Sequence, residues 1–393
     1  MAIDWEARFS SYGKHATASE IRELLKVLDR PGIISFAGGI PDPALFPTAL
    51  IAEAHRHVFE DGARSGAALQ YSVSEGFPPL RQWLRDYMRA KGVNCGIDNI
   101  LITTGSQQGI YLTGRLILNS GDRVLTARPT YLGVLQAFGG NSPRYGTLDA
   151  LTDGEACDAK LAYAMPDFAN PTGESISLSE RKALIAGAHA KDVIILEDAA
   201  YCDLRYSGEP RPSLLALDLE SVGSIEESRV IYTGTFSKTI VPGLRVGWVV
   251  AAKAVIKKLV LLKQASDLHT STLTQMALTE VVSRLPQSHI AMLCENYGAR
   301  RDAMLDALKR HMPPGVSWTK PEGGMFIWVN LPAGIDGAQL LAEAIQVGVA
   351  FVPGGAFFPD HRQHNTLRLN FSLCDPETIR TGIERLGKLI SRS

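Results

Sequence analysis

Residues 234–247 read GTFSKTIVPGLRVG. Lys238 stands just after an apolar run, in a turn of serine, threonine and glycine, and Arg245 follows it by seven residues. A lysine placed this way can form an imine with a carbonyl compound while Thr235, Ser237 and Arg245 hold a phosphate. A solitary lysine is ordinarily a solvated surface side chain. An exposed lysine, however, needs no glycine-bracketed polar turn between two apolar strands, here RVIYTG from Arg229 and RVGWVV from Arg245.

The same construction recurs on either side. DVIILEDAAYCDL, from Asp192, places Asp198 at the carboxyl end of a hydrophobic strand, where open α/β sheets bind ligands. A carboxylate there can keep a pyridinium nitrogen protonated; a helix cap is the plainer use of such an aspartate. Tyr201 lies three residues on, within reach of the same ring. FANPTG, Phe168 to Gly173, follows the apolar run LAYAMP, and Asn170 can donate to a phenolate oxygen there, although NPTG taken alone is simply a good turn. ILITTGSQQGI, from Ile100, runs from a strand into a helix. Gly105, Ser106 and Gln107 there offer backbone N–H groups and a hydroxyl to a phosphate. Tyr131, in ARPTYLG, offers a ring to stack on a flat ligand. Arg368 sits in the alternating strand NTLRLNF, among residues that require burial. Its partner is either an internal carboxylate or the carboxylate of a substrate gripped in bidentate geometry.

The chain that carries these stretches has 393 residues, 45% hydrophobic and 21% charged, with 40 basic against 41 acidic side chains. Two globular domains are the default at this length. The charge balance gives no reason to expect a nucleic-acid partner. The first ten residues, MAIDWEARFS, show no basic region followed by an apolar run, and no later stretch approaches about 18 uninterrupted apolar residues, so neither secretion nor membrane insertion is expected. Five scattered cysteines without CxxC spacing fit a reducing, cytoplasmic setting, and with no HExxH among nine histidines no metal site is expected. SEIRELLKVL, from Ser19, has helical spacing and is stopped by Pro31-Gly32. ISFAGGIPDPALFP, from Ile34, is too punctuated for a helix and reads as an ordered loop crossing a cleft. Residues 50–118 are mostly helical, interrupted by QYSVSEG and by the strand Ile100 to Thr103. A βαβ rhythm follows, with further strands at Arg123 to Ala127 and at the runs quoted above, apolar on both faces as a covered parallel sheet demands. After long helices from Leu259 to Lys309, two alternating strands, Gly323 to Val329 and Asn365 to Phe371, indicate a small α+β domain.

Taken together, the stretches resemble a fold-type I aminotransferase of class I/II, within it the 2-aminoadipate and aromatic aminotransferase subgroup, which is also related to the catalytic domains of certain transcription regulators. The likeness runs nearly end to end, through LQYSVSEGFPPLR, LITTGSQQGIYL, FANPTGESI, ILEDAAYCDLRY, TGTFSKTIVPGLRVGWVVA, KPEGGMFIWVNLP, FVPGGAFF and NTLRLNFS. It implies an α/β fold with a mostly parallel central sheet in a large domain, residues 48–295, and a smaller α+β domain from residues 1–47 and 296–393. It further implies pyridoxal 5'-phosphate held as a Schiff base on Lys238, with Asp198 on the pyridine nitrogen. Asn170 and Tyr201 would hold the phenolate oxygen, Tyr131 would stack on the ring, and Ser106, Gln107, Thr235, Ser237 and Arg245 would bind the phosphate. Tyr71, from QYS, would reach the phosphate of a neighbouring subunit, making an obligate homodimer with shared sites. Arg368 would take the substrate α-carboxylate, Gly39 and Asn170 would also meet substrate, and Arg22 would approach an acidic side chain. Two departures are visible: Asp198 is followed by Ala199-Ala200, where relatives often carry a second acidic residue, and Thr235 replaces the usual serine.

The activity implied is transfer of an amino group from an L-amino acid of 2-aminoadipate, aromatic, branched-chain or glutamate type to a 2-oxo acid such as 2-oxoglutarate. The alternative is a lyase or racemase on the same fold, because the same carbanion can eliminate or be reprotonated. Phe36, Ile40, Ile21 and Leu28 suggest an apolar pocket mouth.

Overall fold

A computed structural model of the chain describes residues 3–15, 32–360 and 362–392; the expected helix from Ser19 to Leu28, and Arg22 within it, lie outside the described residues. The strands, in chain order, are β1 Ile34–Ser35, β2 Ile100–Thr103, β3 Arg123–Thr126, β4 Arg144–Thr147, β5 Ala159–Ala164, β6 Ile194–Asp198, β7 Val230–Thr235, β8 Gly247–Val250, β9 Ser317–Trp318, β10 Phe326–Asn330, β11 Val349–Ala350, β12 Val352–Pro353 and β13 Thr366–Asn370. Seven of them form one sheet in the order β2-β8-β7-β6-β5-β3-β4. β4, β3, β5, β6 and β7 run parallel, and β8 alone is antiparallel to its neighbours β7 and β2.

Strand alternation divides the sheet between two cores. On one face Leu161, Tyr163, Leu196, Ile231 and Val249 are covered by the helices Ser106–Ile117, Leu132–Gly139 and Lys253–Ser266. On the other, Ala162, Ile195, Val230, Tyr232 and Val250 are covered by Pro78–Ala90, Leu178–Lys191, Leu214–Val222 and Thr272–Arg284. The helices begin where the sequence offers caps: Ser177 closes a capping box with Glu180, and Ser213 accepts from Ala216 N–H. The buried Glu197 carboxylate accepts from the N–H groups of Leu214 and Leu215, 2.9 Å each.

The second sheet, β12-β13-β10-β9, is antiparallel, with Arg368 opposite Trp328 on one side and Val352 on the other. Ser288–His311 packs along Pro376–Ile390 beside it, and the same helix touches the large sheet's side through His289, whose Nε2 lies 2.8 Å from the Thr239 carbonyl. The loop-like reading of Ile34 to Pro47 requires a correction. β1 pairs in parallel with β11, and Pro43–Leu45 is a short 3-10 turn. The strand expected from Gly323 starts only at Phe326, because Gly324 takes φ +72° and turns the chain first. β4, RYGT, escaped the reading because it carries little apolar signal.

β8 begins against the turn that leaves β2. A Cβ on Gly247 would stand 2.6 Å from both Gly105 C and Ser106 N. These are backbone atoms, with no flexible side chain to give way. Gly247→Ala is therefore expected to destabilise the protein by about 1–3 kcal/mol, measured as a lower urea midpoint at unchanged m-value.

Candidate active site

The carboxyl ends of β2, β3, β5, β6 and β7 lie along one edge of the large sheet, and each ends in a turn that carries one of the expected residues. Asp198 ends β6 with its carboxylate 1% exposed. Oδ2 accepts from the Tyr163 hydroxyl at 2.7 Å, and Oδ1 is buried without a hydrogen-bond partner among the described residues. Burial raises its pKa to about 6, against the pull of Tyr163, the Ala200 N–H and Lys238. A buried carboxylate oxygen left open in this way fits a protonated ring nitrogen.

Lys238 stands in the turn after β7, and its Nζ donates to the Gly39 carbonyl at 2.9 Å, 5.6 Å from the centre of the Tyr201 ring. Burial lowers its pKa to about 8, and the positive charges of Arg368 and Arg245 push the same way. No carboxylate pairs with it among the described residues. The turn is held by its own side chains: Thr235 Oγ1 donates to Ser237 Oγ at 2.9 Å and accepts from Ser237 N–H at 3.1 Å, so threonine keeps the hydroxyl contact expected of serine. Arg245 adopts the left-handed conformation at φ 52° and brings Nη1 to 3.4 Å from Ser237 Oγ. Its guanidinium also lies against Gly105, where a Cβ would stand 2.5 Å from Nη2. Gly105, at φ +79°, leads into the helix opened by Ser106, so the helix N-terminus, the two hydroxyls and Arg245 adjoin as an anion site requires.

Tyr131 follows β3 and donates to Gln107 Oε1 at 3.2 Å, while Gln107 Nε2 holds the Gly133 carbonyl at 2.7 Å. Burial raises the Tyr131 phenol to about 12, and Asp198 adds to the rise. Tyr201 is 5% exposed, packs edge-on to Phe326 at 5.7 Å, and has its pKa raised by burial. Asn170 accepts from Arg368 Nη1 at 2.8 Å, and Arg368 Nη2 donates to the Ala37 carbonyl at 2.7 Å. Arg368 is 3% exposed and lies 4.3 Å from the Phe326 ring centre and 5.1 Å from that of Phe357. Burial lowers its pKa to about 10. Among the described residues its Nε has no partner, and both of its hydrogen bonds are to neutral oxygens. Of the two readings the sequence left open for Arg368, an internal salt bridge is therefore absent among the described residues.

The structure thus gathers Lys238, Asp198, Asn170, Tyr201, Tyr131, Gln107, Ser106, Thr235, Ser237, Arg245, Gly39 and Arg368 around one edge. It leaves Tyr71 outside, 79% exposed and edge-on to His269 at 6.2 Å. Sequence reading passed over Tyr163, whose only signal is a tyrosine inside an otherwise small and apolar strand, and over Phe326 and Phe357, which flank Arg368. The carbonyls of Ala37 and Gly39 leave no side-chain signal at all. Among the described residues no group of three or more histidine, cysteine or acidic side chains is arranged to hold a metal ion, and no helix is long and apolar enough to cross a membrane.

A family model described as aminotransferase class I and II matches residues 31–386. The chain is 43% identical, over 99% of its length and 95% of the relative's, to aromatic-amino-acid aminotransferase 1 of Thermococcus litoralis. It matches the crystal structure of LysN, the alpha-aminoadipate aminotransferase of Thermus thermophilus complexed with N-(5'-phosphopyridoxyl)-L-leucine, at a TM-score of 0.90 and 38% identity, covering 99% of each chain. It matches that of Pyrococcus horikoshii kynurenine aminotransferase in complex with PMP at a TM-score of 0.90 and 42% identity, covering 99% of this chain and 98% of the other. The open Asp198 oxygen, the desolvated lysine and the anion site fit the phosphopyridoxyl group of such enzymes, and with a family match over nearly the whole length the chain belongs to the class I and II aminotransferases and is a pyridoxal-phosphate-dependent enzyme.

Proposed function

We propose that the protein transfers the amino group of an L-amino acid of the 2-aminoadipate, aromatic, branched-chain or glutamate type to a 2-oxo acid, with 2-oxoglutarate as the acceptor, using pyridoxal 5'-phosphate carried on Lys238. The observation that carries this reading is Arg368: a buried guanidinium with an open Nε and neutral partners, on the same loop-lined cleft as Lys238. An α-carboxylate supplies the charge it lacks. The names of the relatives, aromatic and alpha-aminoadipate, frame the substrate range. Of the residues expected at an apolar mouth, Ile40 is 47% exposed beside Gly39, Phe36 is instead buried in the core, and Ile21 and Leu28 lie outside the described residues.

Pyridoxal phosphate, when bound, supplies a carbonyl that accepts the amino group and a ring that takes up the electron pair released with the Cα proton. Asp198 Oδ1 would hold the proton on the ring nitrogen, and Asn170 with Tyr201 would hold the phenolate oxygen. Ser106, Gln107, Thr235, Ser237 and Arg245 would hold the phosphate, and Tyr131 would stack on the ring. Arg368 orients the α-carboxylate so that the Cα–H bond faces Lys238. Lys238 Nζ, as a neutral amine, would be the base that takes the Cα proton and, once protonated, the acid that returns it. Its lowered pKa keeps a usable fraction neutral near physiological pH. Released from this task, the amine has the Gly39 carbonyl to rest on. Two copies of the chain share their sites, with Tyr71 of each reaching the phosphate of the other. The outward placement of Tyr71, next to the exposed Leu69 and Val73, supports this arrangement.

Purified enzyme loaded with pyridoxal phosphate and mixed in single turnover with individual L-amino acids should lose its cofactor absorbance with substrates of the named classes and recover it with 2-oxoglutarate. Accumulation of pyruvate and ammonia, without that exchange, would instead identify a lyase. Arg368→Leu should lower kcat/KM for every amino acid by about 2–5 kcal/mol, roughly 30- to 5,000-fold, with cofactor affinity nearly unchanged; a loss confined to one substrate would remove Arg368 from the α-carboxylate. The rate at which apoprotein captures added pyridoxal phosphate should rise with pH and level off above about 8, where Lys238 is neutral. An ordinary lysine, with a pKa of about 10.4, would give a rate still climbing at pH 10. Mixing Lys238→Ala with Tyr71→Ala under subunit exchange should regain activity that neither variant shows alone, since one site of each mixed dimer is intact; no regain would count against shared sites.

A further inference from the structure

Tyr163 lies on β5 and Asp198 on β6, and the two strands pair in parallel with Tyr163 opposite Leu196. Leu196 and Asp198 are two residues apart and so point to the same face of the sheet, which makes Tyr163 the diagonal neighbour of Asp198. The phenol spans that diagonal and donates to Oδ2 at 2.7 Å. Tyr163 is 2% exposed, inside the core shared with Leu161 and Leu196, and its hydroxyl has no other hydrogen-bond partner among the described residues. Packing alone would be served by phenylalanine. A buried hydroxyl in an apolar core is unfavourable unless its bond accomplishes something.

We infer that Tyr163 is a positioning residue for the reaction: by donating to one oxygen of Asp198 it fixes the carboxylate's rotation, leaves the other oxygen available to the cofactor's ring nitrogen, and keeps the buried carboxylate ionised. This rests on the reading in which pyridoxal phosphate binds beside Lys238. The choice of donor follows from the chemistry. A lysine or arginine at this place would neutralise Asp198 and compete with the ring for it. A phenol stabilises the carboxylate as strongly as a neutral donor allows and leaves its charge for the ring nitrogen. The phenol also stays protonated, because burial and then the charge of Asp198 hold its pKa well above the ordinary value. The other groups facing Asp198 do not duplicate this bond. Lys238, from the turn after β7, acts through its charge, and Tyr131, from the loop after β3, and Tyr201, beyond Asp198 itself, meet it without a hydrogen bond to the carboxylate. Among the described residues the Ala200 N–H also favours its ionised form.

Tyr163→Phe tests the inference with two readouts: the affinity of apoprotein for pyridoxal phosphate, by absorbance titration, and the pH profile of kcat/KM for an amino acid that the unmodified enzyme accepts. Loss of the bond should weaken cofactor binding about tenfold and move the acid limb of the profile to higher pH, because Asp198 loses a donor that favours its ionised form. In an Asp198→Asn background the same substitution should change cofactor affinity less than about twofold, since the charged acceptor is gone. Equal affinity and superimposable profiles for Tyr163→Phe and the unmodified enzyme, or an undiminished loss in the Asp198→Asn background, would overturn the inference. If Tyr163→Phe fails to fold, 3,5-difluorotyrosine at position 163, a stronger donor, should move the acid limb to lower pH; an unmoved limb refutes the role. Failure of the unmodified protein to bind pyridoxal phosphate would strike the underlying reading instead, so the two failures are told apart.

Discussion

Three charged groups share one cleft, the buried Asp198 and Arg368 and the half-buried Lys238, and among the described residues none is paired with an opposite charge. The hydrogen bonds and turns around the cleft sustain that condition. Isolated ions transferred into a protein interior ordinarily shift toward neutrality, and each of these does so, the lysine and arginine downward and the aspartate upward. Were they allowed to meet, they would neutralise one another and leave nothing for a substrate. Their places in the fold hold them apart: Asp198 ends β6 and Lys238 stands in the turn after the neighbouring β7 of the large sheet, while Arg368 sits in the middle of β13 of the other sheet. The neutral bonds each receives, from a phenol, a carbonyl or a carboxamide, fix direction without consuming charge.

The two sheets are coupled where the cleft closes. Thr130 N–H donates to the Phe357 carbonyl at 2.9 Å, and Arg128 pairs with Asp360 at 2.5 Å. The Phe357 ring lies against Arg368 while its main chain steadies the segment leading to Tyr131. One residue of the 3-10 turn Gly354–Phe357 therefore touches both the arginine of the second sheet and the loop that follows β3. On the far side, Arg300 binds Asp42 at 2.5 Å and the Ser372 carbonyl, and the Ser372 hydroxyl holds the Ile40 carbonyl at 2.8 Å, which fixes the stretch carrying Gly39.

Much of this was legible in the sequence because a strand that ends in a polar turn advertises itself twice, by its apolar run and by the break that follows. GTFSK, FANPTG, ILEDAAY and TTGSQQ all have that form, and the structure brings all four turns to one edge. What escaped has a physical reason in each case. β4 is RYGT, too short and too polar to show alternation. Tyr163 looks like core because it is core; only the neighbouring strand's register reveals that its hydroxyl meets Asp198. Arg368 was recognisable as an arginine needing a partner, but the choice between an internal carboxylate and a substrate depends on long-range placement that no local pattern encodes. The sequence marked Gly39 and a loop crossing a cleft, but the bonds from the Ala37 and Gly39 carbonyls to Arg368 and Lys238 were hidden, since they are made by the main chain.

That last point bears on how such a protein can change over generations. Ala37 and Gly39 steady the arginine and the lysine with carbonyl oxygens, atoms that every residue type carries. Mutation of the side chains along this stretch can therefore reshape the entrance, at Ile40 in particular, without touching the atoms that hold the chemical groups. Its neighbours are less free: a Cβ on Gly39 would come within 2.9 Å of the Phe326 ring and one on Gly38 within 2.6 Å of the Ile40 side chain, and Phe36 and Ala37 are fully buried. A loop built this way separates what selects a molecule from what transforms it, so new preferences are open to selection while the inherited chemistry is retained.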